Sequence, residues 1–287
     1  MADMKENMQI DVKAEASHID AQTLTSTTRL KASGITPRLV DVVATDDPAV
    51  ASYVNTKRKK AEKLGIAYSV EKFERPQCTE DVIELINSLN ADPTVHGVMV
   101  STPMYAHLEA DEIIGAIAAR KDIDGLTPLN AGLLALNEEH KALIPATALA
   151  AIHILELLGP LHGKDVVVVG RGKTIGRPIA QLILNRHASV TVCHSRSSDL
   201  ASHTRRGQIL VVAIGRGIFV TPDMVAAGQV VVDCGINVID GRLCGDVDPA
   251  VASVVDYLSP VPGGVGVLTN TFLFANLVKA TLLQTKL

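Results

Sequence analysis

Tyr53 and Lys57 are the first residues in the chain whose types and spacing could do chemistry. They lie four apart in a segment that is typical of a helix from Pro48 to Leu64, so both side chains project from one face. A lysine tuned by its site can carry a proton, and a tyrosine can cover a flat ligand. Spacing alone favours a simpler interpretation, a solvated basic surface, because four more basic residues lie between positions 58 and 63.

Asp122 and Asp124 form a second candidate site in the run Lys121-Asp122-Ile123-Asp124-Gly125. Two carboxylates on one side of an extended loop could do acid–base work or hold a metal. The sequence supplies no third ligand nearby, so we predict no metal site. The alternative is an Asp-Gly turn with a capping aspartate.

A glycine-rich loop from Gly170 to Gly176 follows the apolar strand Asp165–Val169 and precedes a helix running to Asn185. Its spacing, G-x-G-x-x-x-G, is one residue longer than the usual dinucleotide motif. Backbone N–H groups and a helix N-terminus in this position can bind a pyrophosphate. The alternative is a tight strand-to-helix turn. The predicted contacts in this loop are Gly170, Arg171, Gly172, Thr174 and Ile175.

The end of the next strand indicates which dinucleotide binds. An NAD enzyme usually has a carboxylate there for the adenine ribose, but this chain has His194-Ser195-Arg196. Arg171 and Arg196 could bracket a 2′-phosphate and Ser195 could donate to it, which predicts NADP. A solvated rim is the alternative. Gly215 and Ile236, which follow the two later apolar runs, complete the predicted cofactor site.

Alternating apolar runs and amphipathic segments must position these residues, and this pattern is typical of parallel α/β architecture. At 287 residues the chain exceeds the usual size of one core, so two domains are expected. Strands are predicted over 39–44, 66–73, 95–100, 165–169, 209–214 and 230–234, with a strand ending at Cys193. Helices are predicted over 48–64, 79–90, 108–119 and 269–285, together with one ending near Leu158 and one ending at Asn185.

Composition excludes several classes of function. A net charge of −4 leaves no excess of positive charge for nucleic acid, and 3% aromatic residues provide few stacking surfaces. The polar segment Met1–Asn7 has no signal core, and no continuous apolar run approaches the ~18 residues of a membrane span. We interpret the four cysteines, which have no C-x-x-C spacing, as reduced and structural.

The Tyr-x-x-x-Lys pair, the Lys-Asp-Ile-Asp-Gly run, the glycine loop and the closing Pro262-Gly263-Gly264-Val265-Gly266 segment occur in this order. Together they resemble the bifunctional methylenetetrahydrofolate dehydrogenase/cyclohydrolase family. A short-chain dehydrogenase also uses Tyr-x-x-x-Lys, but there the pair follows the glycine loop. Here it precedes the loop by more than a hundred residues.

The resemblance implies an N-terminal three-layer α/β catalytic domain over 1–146, completed by the C-terminal helix 269–287. A Rossmann-type NADP domain over 147–268 and an active-site cleft between the domains are also implied. In the family, the residue matching Lys57 transfers protons, that matching Tyr53 lies over the folate ring, and that matching Asp124 bonds the amino-pyrimidine edge. The remaining implied substrate contacts are Val100, Ser101, Thr102, Pro103, Pro262, Gly263 and Gly264.

Ser101 departs from the family pattern, in which a glutamine holds the lysine for the hydrolytic step. A serine is shorter, so we expect Lys57 to be poorly oriented and hydrolysis to be weakened. Val50, in place of a serine, changes the same pocket.

The resemblance therefore implies a homodimer that oxidises methylenetetrahydrofolate with NADP and hydrolyses the methenyl product weakly, and composition predicts a cytoplasmic location. One alternative is a related dehydrogenase acting on a modified pterin or another iminium-type substrate. Another is a regulatory protein that binds NADP or folate without catalysis.

Overall fold

A computed structural model describes residues 10–75 and 78–285, in which two compact units are present. One comprises Ser17–Ile144 and the chain from Leu273 onward, and we call it the lysine unit. The other comprises Pro145–Phe272 and the segment up to Ala16, and we call it the glycine-loop unit. The predicted domain limits stay a prediction, and the polar segment Met1–Asn7 lies outside the described residues.

The lysine unit is built on a parallel sheet with the strand order β2-β1-β3. The strands are β1 (Arg38–Val43), β2 (Ala67–Lys72) and β3 (Gly97–Ser101). Val40 and Val42 point to one face, where they pack with Val98 and with residues of the helices α3 and α4. Val43 points to the other face and packs with Val50 and Val54 of the helix α2. Helices therefore cover both faces, which confirms the predicted three layers.

The helices around this sheet are α1 (Val12–Ala32), α2 (Pro48–Lys63), α3 (Thr79–Ala91), α4 (Ala110–Gly115), α5 (Pro128–Ala135) and α9 (Val265–Thr285), of which α1 and α9 each begin in the glycine-loop unit. Asp47 caps α2 through a bond from the backbone N–H of Ala49, and Pro48 occupies the first turn, where its missing N–H costs nothing. The sequence did not predict α1 or α5. The helix predicted over 108–119 was too long, because the regular helix has only six residues and ends at Gly115.

The glycine-loop unit has a five-stranded parallel sheet with the order β10-β7-β6-β4-β5. Its strands are β4 (Asp165–Val169), β5 (Ser189–Cys193), β6 (Ile209–Val212), β7 (Val230–Asp233) and β10 (Tyr257–Leu258), and its helices are α6 (Ala146–Leu158), α7 (Gly176–Asn185) and α8 (Leu200–Arg206). A separate antiparallel hairpin pairs β8 (Asn237–Ile239) with β9 (Arg242–Cys244). After β4 the chain adds β5 on one side of β4, and it then returns and adds β6 on the other side of β4. The direction of winding therefore reverses between β4 and β6, where open α/β sheets bind their ligands.

Helix α9 requires a correction to the expectation about membranes. Its 21 residues are long and apolar enough, by length and composition, to cross a membrane, although polar residues interrupt the run. More than half of its most apolar stretch is buried in the fold, including Leu273, Phe274 and Leu277. The core helix of a folded domain passes the same test, so the feature is weak evidence for a membrane span.

Candidate active site

Lys57 lies on the buried face of α2, in line with Val50, Val54 and Ala61. These positions recur at the three- and four-residue spacing of one helical face, so the fold that buries the valines also buries the lysine. The side chain of Lys57 is only 7% exposed, and its Nζ lies 2.5 Å from Oδ2 of Asp41. A buried ammonium needs such a partner because an isolated charge is costly away from water.

The residues around this ammonium come from all three strands. Asp41 of β1 faces α2, and the strand register places Met99 and Ser101 of β3 on the same face. The Nζ of Lys57 donates to Oγ of Ser101 at 3.0 Å, and Ser101 Oγ donates to Oδ1 of Asp41 at 2.8 Å. Tyr68 of β2 donates its hydroxyl to Oδ2 of Asp41 at 2.6 Å. Burial, followed by the charge of Asp41, raises the pKa of Tyr68, which keeps its hydroxyl a donor.

The structure removes the premise behind the expectation for Ser101, because the serine does bond to Lys57, and the orientation of Lys57 for water activation stays a prediction. The serine is short, but the carboxylate of Asp41 supplies a second acceptor from the neighbouring strand. Sequence analysis missed Asp41 because it treated Leu39 to Ala44 as a uniformly apolar strand. A signal was present, since a carboxylate inside a buried strand has to be paired.

Tyr53 does not share the environment of Lys57, because its side chain is 56% exposed and is therefore open to a ligand. Thr102 and Pro103 are also exposed after the end of β3. Val100 is different: it is buried and packs in the cluster on the opposite face of the sheet, so its side chain belongs to the core.

Asp122 and Asp124 have separate roles in the structure. Asp122 is fully buried, and its Oδ2 accepts from the backbone N–H of Thr127 at 2.7 Å and from Nδ2 of Asn130 at 3.1 Å. Asp124 is partly exposed. Burial, and then the charge of Asp122, raise the pKa of Asp124 to about 7, while Lys57 acts in the opposite direction. Asp122 thus shapes the loop, and Asp124 is the more exposed of the two residues.

Two residues that the sequence did not identify hold this loop. Asn276 of α9 donates through Nδ2 to the carbonyls of Ile123 at 2.9 Å and Ile144 at 2.7 Å. Lys121 is buried, and its ammonium donates to three backbone carbonyls between Leu89 and Asp92, so it is a structural lysine.

The predicted cofactor residues gather at one edge of the sheet in the glycine-loop unit. The strand register aligns Val169 with Cys193 on one side and with Val212 on the other, so the strands end at the same level. The glycine loop follows β4, Ser195 and Arg196 follow β5, Gly215 follows β6 shortly after Val212, and Ile236 follows β7. Most of these residues are exposed: Arg171, Gly172, Thr174, Ser195, Arg196, Gly215 and Ile236.

Two glycines allow the backbone of this loop to pass close to neighbouring backbone. Gly170 has a φ of +119°, and a Cβ there would collide with the carbonyl oxygen of Ala213. A Cβ on Gly176 would overlap the backbone of Gly170 and lie 2.8 Å from the nitrogen of Arg171. Helix α7 therefore starts directly against the end of β4, which presents its N-terminal N–H groups at the sheet edge. These residues fit a bound pyrophosphate.

Asp246 fixes the neighbouring loop and was missed by sequence reasoning. It is fully buried and accepts from the backbone N–H groups of Ile214 at 2.7 Å, Gly215 at 3.0 Å and Arg216 at 2.8 Å. Asp233 is also buried, and burial raises its pKa. Both carboxylates fix the backbone near the sheet edge at which the predicted cofactor residues gather.

The remaining predicted contacts lie at the start of α9. Pro262 and Gly263 are exposed and Gly264 is buried, and all three belong to the glycine-loop unit. Within the described residues, no group of three or more His, Cys, Asp or Glu side chains could hold a metal ion. All four cysteines are unpaired, and Cys78 is exposed.

A glycine loop at the edge of a parallel sheet, on a chain that also carries a buried lysine–carboxylate site, defines a dinucleotide-dependent α/β enzyme. Residues 10–124 match the catalytic domain of tetrahydrofolate dehydrogenase/cyclohydrolase, and residues 145–285 match its NAD(P)-binding domain. The chain belongs to the tetrahydrofolate dehydrogenase/cyclohydrolase family. The resemblance predicted from the motifs is confirmed.

Relatives and solved structures agree over nearly the whole chain. The bifunctional protein FolD of Thermotoga maritima is 43% identical over 281 residues, which cover 97% of this chain and all of that protein. The crystal structure of the bifunctional FolD enzyme from Campylobacter jejuni superposes with a TM-score of 0.92 at 37% identity, covering 96% of this chain and 98% of that one. The Trypanosoma brucei enzyme, complexed with NADP cofactor and inhibitor, has a TM-score of 0.86 at 30% identity, with 95% and 96% covered.

Proposed function

We propose that this protein oxidises methylenetetrahydrofolate to methenyltetrahydrofolate with NADP and then hydrolyses the methenyl group to formyltetrahydrofolate. The observation that carries the proposal is the buried Lys57 ammonium, held by Asp41 and Ser101, in a chain of this family that also has the glycine loop. When bound, NADP accepts the hydride that leaves the methylene carbon.

Asp124 is proposed to bind the amino-pyrimidine edge of the folate. The residue is partly exposed, and burial of its carboxyl raises the pKa to about 7, so the carboxyl is ionised and accepts hydrogen bonds on the alkaline side of neutrality. The exposed ring of Tyr53 is proposed to cover the pterin. These two residues fix the folate, and positioning is the main requirement of hydride transfer.

Lys57 is proposed to serve the hydrolytic step, in which water adds to the methenyl carbon and one C–N bond opens. The step needs a proton carrier within hydrogen-bond reach of the water and the folate nitrogen. Because Asp41 and Ser101 hold Lys57 in place, the structural reason for expecting weak hydrolysis no longer applies.

NADP is preferred to NAD in this proposal, because the chain after β5 offers Ser195 and Arg196 where an NAD enzyme has a carboxylate. Arg171 is exposed in the glycine loop at the same sheet edge. Two guanidinium groups and a hydroxyl suit a dianionic phosphate.

The test follows NADPH formation and methenyl absorbance separately after mixing the protein with methylenetetrahydrofolate and NADP. Both signals are expected to rise, and the methenyl signal is then expected to decay enzymatically. Asp124→Ala is expected to abolish turnover while a fluorescence titration still shows NADP binding. Tight NADP binding by the unmodified protein without folate turnover would favour another iminium-type substrate or a regulatory role.

We also propose a cytoplasmic homodimer that binds neither nucleic acid nor membranes, on the basis of family analogy and the net charge of −4. The β8–β9 hairpin supports dimer formation, because its paired residues Val238 and Leu243 are 67% and 51% exposed. Light scattering of the purified protein tests the dimer, and Val238→Asp is expected to yield monomer if the hairpin forms the contact. Unchanged assembly in that variant would exclude the hairpin, and cell fractionation tests the location.

A further inference from the structure

Asp41 is the one carboxylate in strand β1, whose other buried residues are aliphatic. Its side chain is 0% exposed, in a position where an uncompensated charge would be very costly. Helix α2, which covers this face of the sheet, places Lys57 directly against it. The pairing is therefore part of the packing between α2 and the sheet.

The Lys57 ammonium and the Asp41 carboxylate use nearly all of their hydrogen-bonding capacity within this cluster. The three described acceptors of the ammonium are Oδ2 of Asp41, Oγ of Ser101 at 3.0 Å and the sulfur of Met99 at 3.6 Å. The carboxylate in turn accepts from Lys57, from Ser101 and from the hydroxyl of Tyr68. Ser101 is thus a link between the two charges, since its oxygen accepts from one and its hydrogen is donated to the other.

We propose that Asp41 is the positioning residue for Lys57, that Ser101 is a secondary link, and that Tyr68 fixes the carboxylate. The role in catalysis rests on the proposed function, whereas the anchoring of the ammonium does not. A thioether is a weak acceptor, whereas the bond to the carboxylate of Asp41 is charge-assisted, so Asp41 is the strongest of the three partners of the ammonium. Asp41 therefore determines where the ammonium of Lys57 lies in the proposed site.

The carboxylate and the serine do not contribute equally. Asp41 compensates the charge of Lys57 and bonds to it directly, whereas Ser101 provides a neutral acceptor. Removing one partner of a buried ion pair leaves the other charge uncompensated, which is a larger perturbation than the loss of a neutral bond.

The experiment uses the full chain labelled with ¹³C and ¹⁵N in lysine, and it detects the Nζ signal of Lys57 by NMR. Solvated lysine ammonium groups exchange hydrogens quickly and give no sharp signal near neutral pH, whereas a buried, bonded ammonium does. Asp41→Asn preserves shape and removes the charge, and is expected to remove the signal. Asp20→Asn is the matched control, because Asp20 pairs at 2.9 Å with Lys60, which lies on α2 like Lys57. This variant is expected to leave the Lys57 signal intact.

Ser101→Ala is the second variant, which keeps the test decisive if Asp41→Asn does not fold. It is expected to shift the Lys57 signal without removing it, and Tyr68→Phe is expected to do the same. Persistence of the signal in folded Asp41→Asn, or its complete loss in Ser101→Ala, would overturn the proposal.

Steady-state kinetics test whether Asp41 contributes to catalysis in addition to holding the ammonium of Lys57. Asp41→Asn is expected to lower kcat for methenyl hydrolysis by roughly 10- to 100-fold, below the roughly 10²- to 10⁴-fold effect of losing the proton carrier itself because Lys57 is still present, with a smaller change in NADPH formation and unchanged NADP affinity. Equal loss of both activities would indicate a merely structural role and overturn the positioning role. If the unmodified protein turns over no folate, the proposed function fails, while the NMR result still decides the anchor.

Discussion

Replacement of Asn276 by alanine tests whether α9 holds the loop that carries Asp124. Asn276 is 3% exposed and donates to two backbone carbonyls, those of Ile123 at 2.9 Å and Ile144 at 2.7 Å. Alanine fills less space and donates nothing, so both carbonyls lose a partner in a buried site. At about 1–3 kcal/mol for each, the free energy of unfolding should fall by roughly 2–6 kcal/mol. That is a large part of the roughly 5–15 kcal/mol that stabilises an ordinary domain.

The effect on function follows from the position of Ile123, which directly precedes Asp124. Once its carbonyl is released, the aspartate is less well fixed, and the KM for methylenetetrahydrofolate is expected to rise about tenfold, equivalent to ~1.4 kcal/mol. Binding of NADP to the glycine-loop unit should not change. Urea unfolding measures the first quantity, and initial rates at varied folate concentration measure the second.

Gln284→Ala is the matched control on the same helix. Its amide also donates to two carbonyls outside the helix, those of His96 at 2.7 Å and Arg120 at 3.0 Å, but neither adjoins Asp124. It is expected to cost stability without raising the folate KM. A loss below about 1 kcal/mol in Asn276→Ala, or equal changes of KM in both variants, would refute the reasoning.

Three further outcomes are expected. Arg171→Ala with Arg196→Ala should reduce the preference for NADP over NAD by roughly 1.5–3 kcal/mol for each lost charge-assisted bond, and equal efficiency with both cofactors in the unmodified protein would contradict this. Gly176→Ala should abolish NADP binding in a titration, because its Cβ would overlap the backbone of Gly170. Folding raises the pKa of Asp124 from 3.8 to about 7, so its stabilising contribution is full below 3.8 and is lost as the pH rises to about 7. Asp124→Asn should therefore gain stability relative to the unmodified protein over this interval, and parallel stability curves would contradict the shift.

Local patterns predicted the parts of the fold whose signal lies within a short stretch of sequence. The apolar run at 165–169 is strand β4, and the glycine loop predicted between this strand and a helix lies between β4 and α7. Both signals, a run of valines and a set of closely spaced glycines, lie within one short stretch of sequence. Such features are visible in the sequence before any tertiary contact is known.

Helix α1 was missed although it has a helical pattern. Its buried positions recur every three or four residues and are Val12, Ala16, Ile19, Thr23, Thr27 and Leu30. Two successive members of this stripe are threonines, so a search for apolar residues finds the stripe interrupted. The hydroxyl of Thr23 is satisfied by the carbonyl of Ile19, which makes its burial possible.

The lysine site shows why a single replaced motif residue is a poor guide to a site. The expectation for Lys57 depended on position 101 alone, where a serine is too short to replace a glutamine. The structure places the main acceptor 60 residues earlier, at Asp41, and strand pairing between β1 and β3 brings the two positions together. Only the sheet register connects them, and no local pattern encodes it. With Asp41 instead of a glutamine as the main acceptor, the chemical type of the partner of Lys57 also changes. A carboxylate gives the buried ammonium a compensating charge that an amide cannot give. Lys57 is thus held by a different set of partners, so the balance between hydride transfer and hydrolysis has to be measured with Asp41 varied as well as Ser101.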